Sequence, residues 1–149
     1  MPNARDVARY FLWKTDEEAG DTVSNLKVQK LLYYAQGFHL ALNNGRPLFL
    51  EPIVAWRHGP VVRPVYADYA GYGAGAIPPP NGFDPDAHDL RDVRDLLDEV
   101  YSVYGQYSAW RLREMTHAEP PWRDTWRDDG IEHVIPHAAL TNYFQTLIN

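Results

Sequence analysis

The chain has 149 residues, 45% apolar and 13% aromatic, enough for one domain with a real core and too apolar for a disordered chain. Twenty acidic residues against fourteen basic ones leave a net charge of −6, without the basic footprint that phosphate neutralisation needs, so direct nucleic-acid binding is not expected. With no cysteine there is neither a disulfide framework nor a thiolate metal site.

The first residues, Met1-Pro2-Asn3-Ala4-Arg5-Asp6, lack the apolar run of a secretory signal. No window approaches the roughly 20 apolar residues that span a bilayer. A cytoplasmic protein without membrane contacts is expected, and its acidic surface suits a basic protein partner. Asn3 is a good N-cap for a first helix through about Lys14, with Val7, Tyr10, Phe11 and Lys14 on one face. A polar break, Thr15 to Asp21, follows. Ser24 caps a second helix over Asn25 to Leu42, in which Val28, Leu31, Leu32, Ala35, Phe38 and Leu42 keep helical spacing. Because Leu26, Tyr33, Tyr34, Leu40 and Ala41 add apolar surface on other sides, this helix is expected to be central and buried.

Asn43-Asn44-Gly45-Arg46-Pro47 ends it. Leu48 to Trp56 is β-branched and aromatic, predicting a short strand or hairpin arm with Pro52 keeping it at an edge. His58-Gly59-Pro60 turns the chain. Pro64 opens a third helix through about Ala70, stopped by Gly71 and Gly73. Gly71 to Pro85 reads as a loop within the domain. Asp86 to about Tyr104 predicts an amphipathic helix, with Leu90, Val93, Leu97, Val100 and Tyr104 inside and Asp92, Asp95, Asp98 and Glu99 outside. Ser108 caps a shorter helix through about Thr116, and Pro120-Pro121-Trp122 begins an irregular turn. Val134-Ile135 is extended, before a last helix from about Pro136 to Leu147. The expected fold is mostly α: one compact domain over residues 1–149, about six helices around the central one, with a small β-hairpin or short antiparallel element.

Lys27, Gln29, Lys30, Gln36 and His39 are the polar members of that apolar helix, and each needs a partner if the helix is buried. Trp56-Arg57-His58-Gly59-Pro60 gathers an aromatic ring, a cation, an imidazole and two turn-formers. A His at a tight turn ties down a loop more readily than it acts as a general base, which would need a nucleophile or an orienting carboxylate within reach. Among the histidines only His133 and His137 share a ligand-like spacing, and Pro136 lies between them; no HExxH and no phosphate-cradling glycine motif occurs. Neither a cofactor nor a metal is expected, and the chain is read as a binding protein, not an enzyme. An enzyme would have to draw on His58, Glu119 or the Lys27/Lys30 pair. Trp56, Leu31, Leu32 and Trp122 are assigned to the core.

Four pieces resemble a known family in its order: Leu26 to Gln36; Ala55-Trp56-Arg57-His58-Gly59-Pro60-Val61-Val62; Tyr66 with Gly71-Tyr72-Gly73; and Thr116-His117 with Glu119, Pro121 and Trp122. The chain is similar over nearly its whole length to the Panacea-domain antitoxins, the family of SocA-like and phage-associated GepA-like proteins. The resemblance implies a mostly helical domain that neutralises a cognate protein toxin by direct binding, the toxin being encoded by a neighbouring gene. It leaves two other roles open: a phage or prophage accessory protein binding a host factor, and a proteolytic adaptor delivering a toxin to a protease. Residues expected to touch the partner are the exposed members of the two main motifs, Lys27, Lys30, Tyr34, Arg57, His58 and Tyr66, with Asp92, Asp95 and Glu99 as an electrostatic flank.

Overall fold

The fold, a computed structural model, describes residues 1–148. Helix α1 (Ala4–Trp13) starts where the Asn3 side chain accepts the Asp6 amide at 2.8 Å. Helix α2 (Asn25–Leu42) starts where Ser24 Oγ accepts the Lys27 amide at 3.3 Å. Both starts follow from local capping chemistry. Fourteen of the 18 residues of α2 are buried, so its polar side chains have to find protein partners. Around α2 pack α1, α3 (Arg63–Tyr69), α4 (Arg94–Tyr104), α5 (Ala109–Ala118) and α7 (His137–Gln145), while α6 (Pro120–Arg123) links α5 to α7. The closest packing is against α7. There Phe144 lies over Gly37, where a Cβ would stand 2.2 Å from the ring, so the absent side chain is what lets the two helices meet.

The expected hairpin arm from Leu48 to Trp56 is mostly not strand. Leu48 and Phe49 are buried, but their backbone is bonded by a side chain: Gln36 Nε2 donates to the Phe49 carbonyl at 2.8 Å and Gln36 Oε1 accepts the Leu48 amide at 2.7 Å. Only β1 (Val54–Trp56) is strand, pairing antiparallel with β2 (Gly59–Val61), Trp56 opposite Gly59. Strand β1 is also not an edge. The distant β3 (His133–Val134) pairs with its other side, Val54 opposite Val134, which makes β1 the centre of a three-stranded sheet ordered β2-β1-β3. Pro52 lies before the strand and so does not limit its pairing.

The helix expected from Asp86 begins eight residues later. Residues 86–90 form turns, Arg91–Val93 is a single 3-10 turn, and α4 starts at Arg94. His88 and Asp89 take left-handed φ values of 56° and 63°, which no helix accommodates. In that conformation they meet the start of the chain: the Met1 amino group lies 2.8 Å from Asp89 and Asp6 3.7 Å from His88. At the other end, Pro120 opens a one-turn helix where an irregular turn was expected. Among the described residues no helix is long and apolar enough to cross a membrane.

Candidate functional site

The polar residues of α2 act mainly as joints. Gln29 Nε2 donates to Asn25 Oδ1 at 2.9 Å, and its carbonyl oxygen accepts the Val62 amide at 2.9 Å, fixing the chain just after β2. Lys27 Nζ donates to the Gly105 carbonyl at 2.6 Å, tying α2 to the end of α4. Lys30 is fully buried and reaches the Pro60 carbonyl at 3.4 Å. Its ammonium sits behind Gly59, whose φ of +118° suits a residue without a side chain. A Cβ there would lie 2.6 Å from Lys30 Cε and 3.1 Å from Thr116 Oγ1. The His-Gly-Pro turn is therefore built around the lysine. Burial, with nearby Arg113 adding to it, pulls the Lys30 pKa down to about 7.

The C-terminal end of α5 closes the joint. His117 Nε2 meets the Arg57 carbonyl and Nδ1 the Arg113 carbonyl, both at 2.8 Å. Its ring packs on Trp122, centroids 3.8 Å apart, and Trp122 Nε1 donates to the Trp56 carbonyl at 2.7 Å. Arg113 Nε donates to His58 Nδ1 at 3.0 Å, and the same guanidinium lies 4.4 Å over the ring of Trp110. Desolvation first, then the Arg113, Lys30 and Arg57 cations, holds His58 below the ordinary histidine pKa. A His paired with a guanidinium and no carboxylate is poorly placed to act as a general base.

Beside this turn a cleft of about 560 Å³ opens between the start of α2, the β1–β2 hairpin, α3 and the 126–132 loop. Trp56 and Tyr66 meet edge to face inside it at 4.8 Å. Trp56 Nε1 donates to Glu132 Oε2 at 2.7 Å, and Glu132 also pairs with Arg63 at 3.3 Å. A second cavity of about 700 Å³, reaching Pro52, Pro64 and Val134, shares Trp56, Tyr66 and Glu132 with the first. Trp56 is thus only half-buried and lines the cleft instead of joining the core, whereas Leu31, Leu32 and Trp122 are buried as expected.

Of the residues expected to be exposed for partner contact, Lys27, Lys30 and Tyr34 are buried. The reason is that α2 is buried at 14 of its 18 positions, and each of the three is bonded to another segment of the fold. Arg57, His58 and Tyr66 are at the surface and line the cleft together. Asp92, Asp95 and Glu99 are exposed on the 3-10 turn and α4, with no hydrogen bond or ion pair to the hairpin among the described residues. Arg113 and Trp110 complete the cluster, and no sequence pattern announces them, because their spacing to His58 exists only in the folded chain.

Glu119 ends α5 and is held in a cage of tyrosines, accepting from Tyr33 at 3.0 Å and Tyr34 at 2.9 Å, with Tyr143 also donating. Tyr34 in turn stacks on Tyr104 at 3.8 Å. Burial, only partly offset by these hydroxyls, pushes the Glu119 carboxyl up to about 7. The cage joins α2, α5 and α7 through one carboxyl group. Among the described residues no cluster of His, Asp or Glu is arranged to hold a metal.

The family model described as "Antitoxin SocA-like, Panacea domain" matches residues 28–123, from within α2 to the end of α6. The chain is 41% identical over 71 residues to "Antitoxin SocA" of Caulobacter vibrioides (strain NA1000 / CB15N). That match covers 48% of this chain and 37% of the relative, so the likeness spans little more than a third of the relative's length. No solved structure matches. The joint of α2, the His-Gly-Pro turn and the end of α5 lies wholly within the matched segment, and the chain belongs to the SocA-like antitoxin family defined by the Panacea domain.

Proposed function

We propose that this protein is the neutralising half of a toxin–antitoxin pair and acts by binding a cognate protein toxin encoded by a neighbouring gene. The observation that carries this reading is the convergence of three of the family's motifs on the lining of one surface cleft, with the fourth, at the end of α5, bonded to the backbone of the hairpin that forms its wall. Lys30 faces the Pro60 carbonyl, His117 meets two backbone carbonyls, and His58 is bonded to a guanidinium. A rigid recognition surface is what such an arrangement supports: aromatic side chains in a groove, with cations at its edge. The cleft side chains Arg57, His58 and Tyr66 belong to that contact surface. Lys27, Lys30 and Tyr34 support it from below.

Co-expression tests the reading. The neighbouring open reading frame should arrest growth when induced alone and become harmless when this chain is co-induced, and the two should co-purify. A neighbour that is harmless by itself, or that stays toxic beside this chain, refutes it.

A further inference from the structure

The chain carries a net charge of −6, yet two arginines, Arg57 and Arg113, meet at the hairpin turn on the edge of the cleft. Arg57 adjoins His58 in the chain and Arg113 donates to its ring at 3.0 Å. Among the described residues the one carboxylate paired with any of these groups is Asp128, 3.8 Å from Arg57. Both of those side chains are well exposed, 69% for Arg57 and 82% for Asp128, so water and salt leave that pair little strength. Arg113 is held in place by His58 and by the face of Trp110, and neither neutralises it. The cleft lining itself carries Arg57 and Arg127 against Asp128 and Glu132, and Glu132 is already engaged by Trp56 and Arg63. Uncovered apolar surface flanks the charge, with Trp110 57% and Ile131 62% exposed.

We propose that this cleft docks an acidic segment of the protein partner: a carboxylate set against Arg57 and Arg113, and a neighbouring apolar side chain in the groove beside Trp56 and Tyr66. Charge complementarity selects the sign of the segment, since a carboxylate gains bidentate hydrogen bonds from a guanidinium that is already positioned. Two adjoining cavities of about 560 and 700 Å³ that share a wall suit an extended segment better than one compact ligand. The recognised surface is therefore opposite in sign to the one suggested by the chain's net charge. That the partner is the toxin rests on the reading above; the chemistry of the segment does not.

The test starts from a phage-displayed library of random dodecapeptides selected on the immobilised full chain. A synthetic copy of the most enriched sequence is then titrated by fluorescence anisotropy. Enriched peptides should combine Asp or Glu with Phe, Leu or Trp, and should bind more weakly as salt is raised. Arg57→Glu should weaken binding at least tenfold with an unchanged circular-dichroism melt, as should Arg113→Gln. Glu17→Lys with Glu18→Lys, which alters net charge on an exposed loop, should have no effect.

Failure to enrich any sequence, enrichment of basic peptides, or full binding by Arg57→Glu overturns the proposal. So does a loss of binding caused by Asp92→Lys with Asp95→Lys, or a dimer of this chain that Arg57→Glu dissociates. A neighbouring toxin neutralised equally well by wild type and Arg57→Glu refutes the docking site while leaving the antitoxin reading intact. A neighbour that wild type does not neutralise refutes that reading, and the peptide titration still decides the chemistry of the cleft.

Discussion

Replacing Lys30 with Met removes a buried ammonium and keeps nearly the same volume beneath the His-Gly-Pro turn. Burial lowers this lysine from its ordinary 10.5 to about 7. Between those values the folded protein binds fewer protons at the site than the unfolded chain does, so stability rises with pH across that window. Below about pH 7 the full penalty of burying the charge is present; above 10.5 it is gone. At 1.36 kcal/mol per pH unit, the penalty is about 4 kcal/mol at pH 7 and about 1.4 kcal/mol at pH 9.5. Lys30→Met also loses the bond to the Pro60 carbonyl; the part of that loss that changes with protonation is already contained in the folded pKa, and the rest adds a constant offset. The decisive quantity is the pH dependence of the difference between variant and wild type. Guanidinium unfolding at pH 7 and pH 9.5 should show Lys30→Met advantaged at pH 7 relative to pH 9.5 by about 3 kcal/mol. A difference that does not change with pH would mean that Lys30 is charged throughout and compensated by groups other than Pro60, and the account of the joint would fall.

Glu119→Gln should behave in the opposite sense. Because burial raises the folded carboxyl from 4.5 to about 7, the native state holds an extra proton between those values and wild-type stability falls as pH rises through them. Thermal melts at pH 5 and pH 7.5 should therefore show Glu119→Gln gaining on wild type by about 2 kcal/mol at the higher pH; equal differences at both would refute the tyrosine cage as described. Gly59→Ala combines a left-handed backbone with a Cβ 2.6 Å from Lys30 Cε and should lose about 2–4 kcal/mol in urea titrations. At Gly82, with φ +64° and open space around it, the same change should lose only about 1 kcal/mol. Gly37→Ala should be destabilising by about 1–2 kcal/mol although Ala favours helix, since the Phe144 ring is boxed in by Tyr33, Tyr34 and Phe38; a stabilised variant would show that the ring can move aside. Leu31→Ala, at a fully buried position, should lose about 2–5 kcal/mol in the same assay.

Much of the site's support was legible in the residues. The cap at Ser24 and the apolar spacing of α2 act over a few residues, and they place that helix with its observed ends, Asn25 and Leu42. The same patterning says that Lys27, Gln29, Lys30 and Gln36 must be bonded if the helix is buried, and each of them is. Which side chains stay at the surface was less legible. Arg57 and His58 are exposed because a turn projects them outward; Lys30, three residues along the helix from Lys27, is buried because Gly59 and Thr116 close over it.

Local chemistry in the sequence thus determined α1, α2 and α5 with their caps at Asn3, Ser24 and Ser108, and the presence of a turn at His58-Gly59-Pro60. Tertiary structure alone decided the rest. Pairing with β3 put β1 in the middle of the sheet, because hydrogen bonds between strands depend on which segments meet and not on the run of residues in one of them. Residues 86–90 leave the helix that their spacing predicts, with His88 and Asp89 in left-handed conformations that meet the chain's first residues. The pairing of a second arginine with the turn exists because α5 carries Arg113 to His58, 55 positions away in sequence. A net charge sums over the whole chain, whereas the field at a binding site is set by the few charges that folding brings within one Debye length of each other.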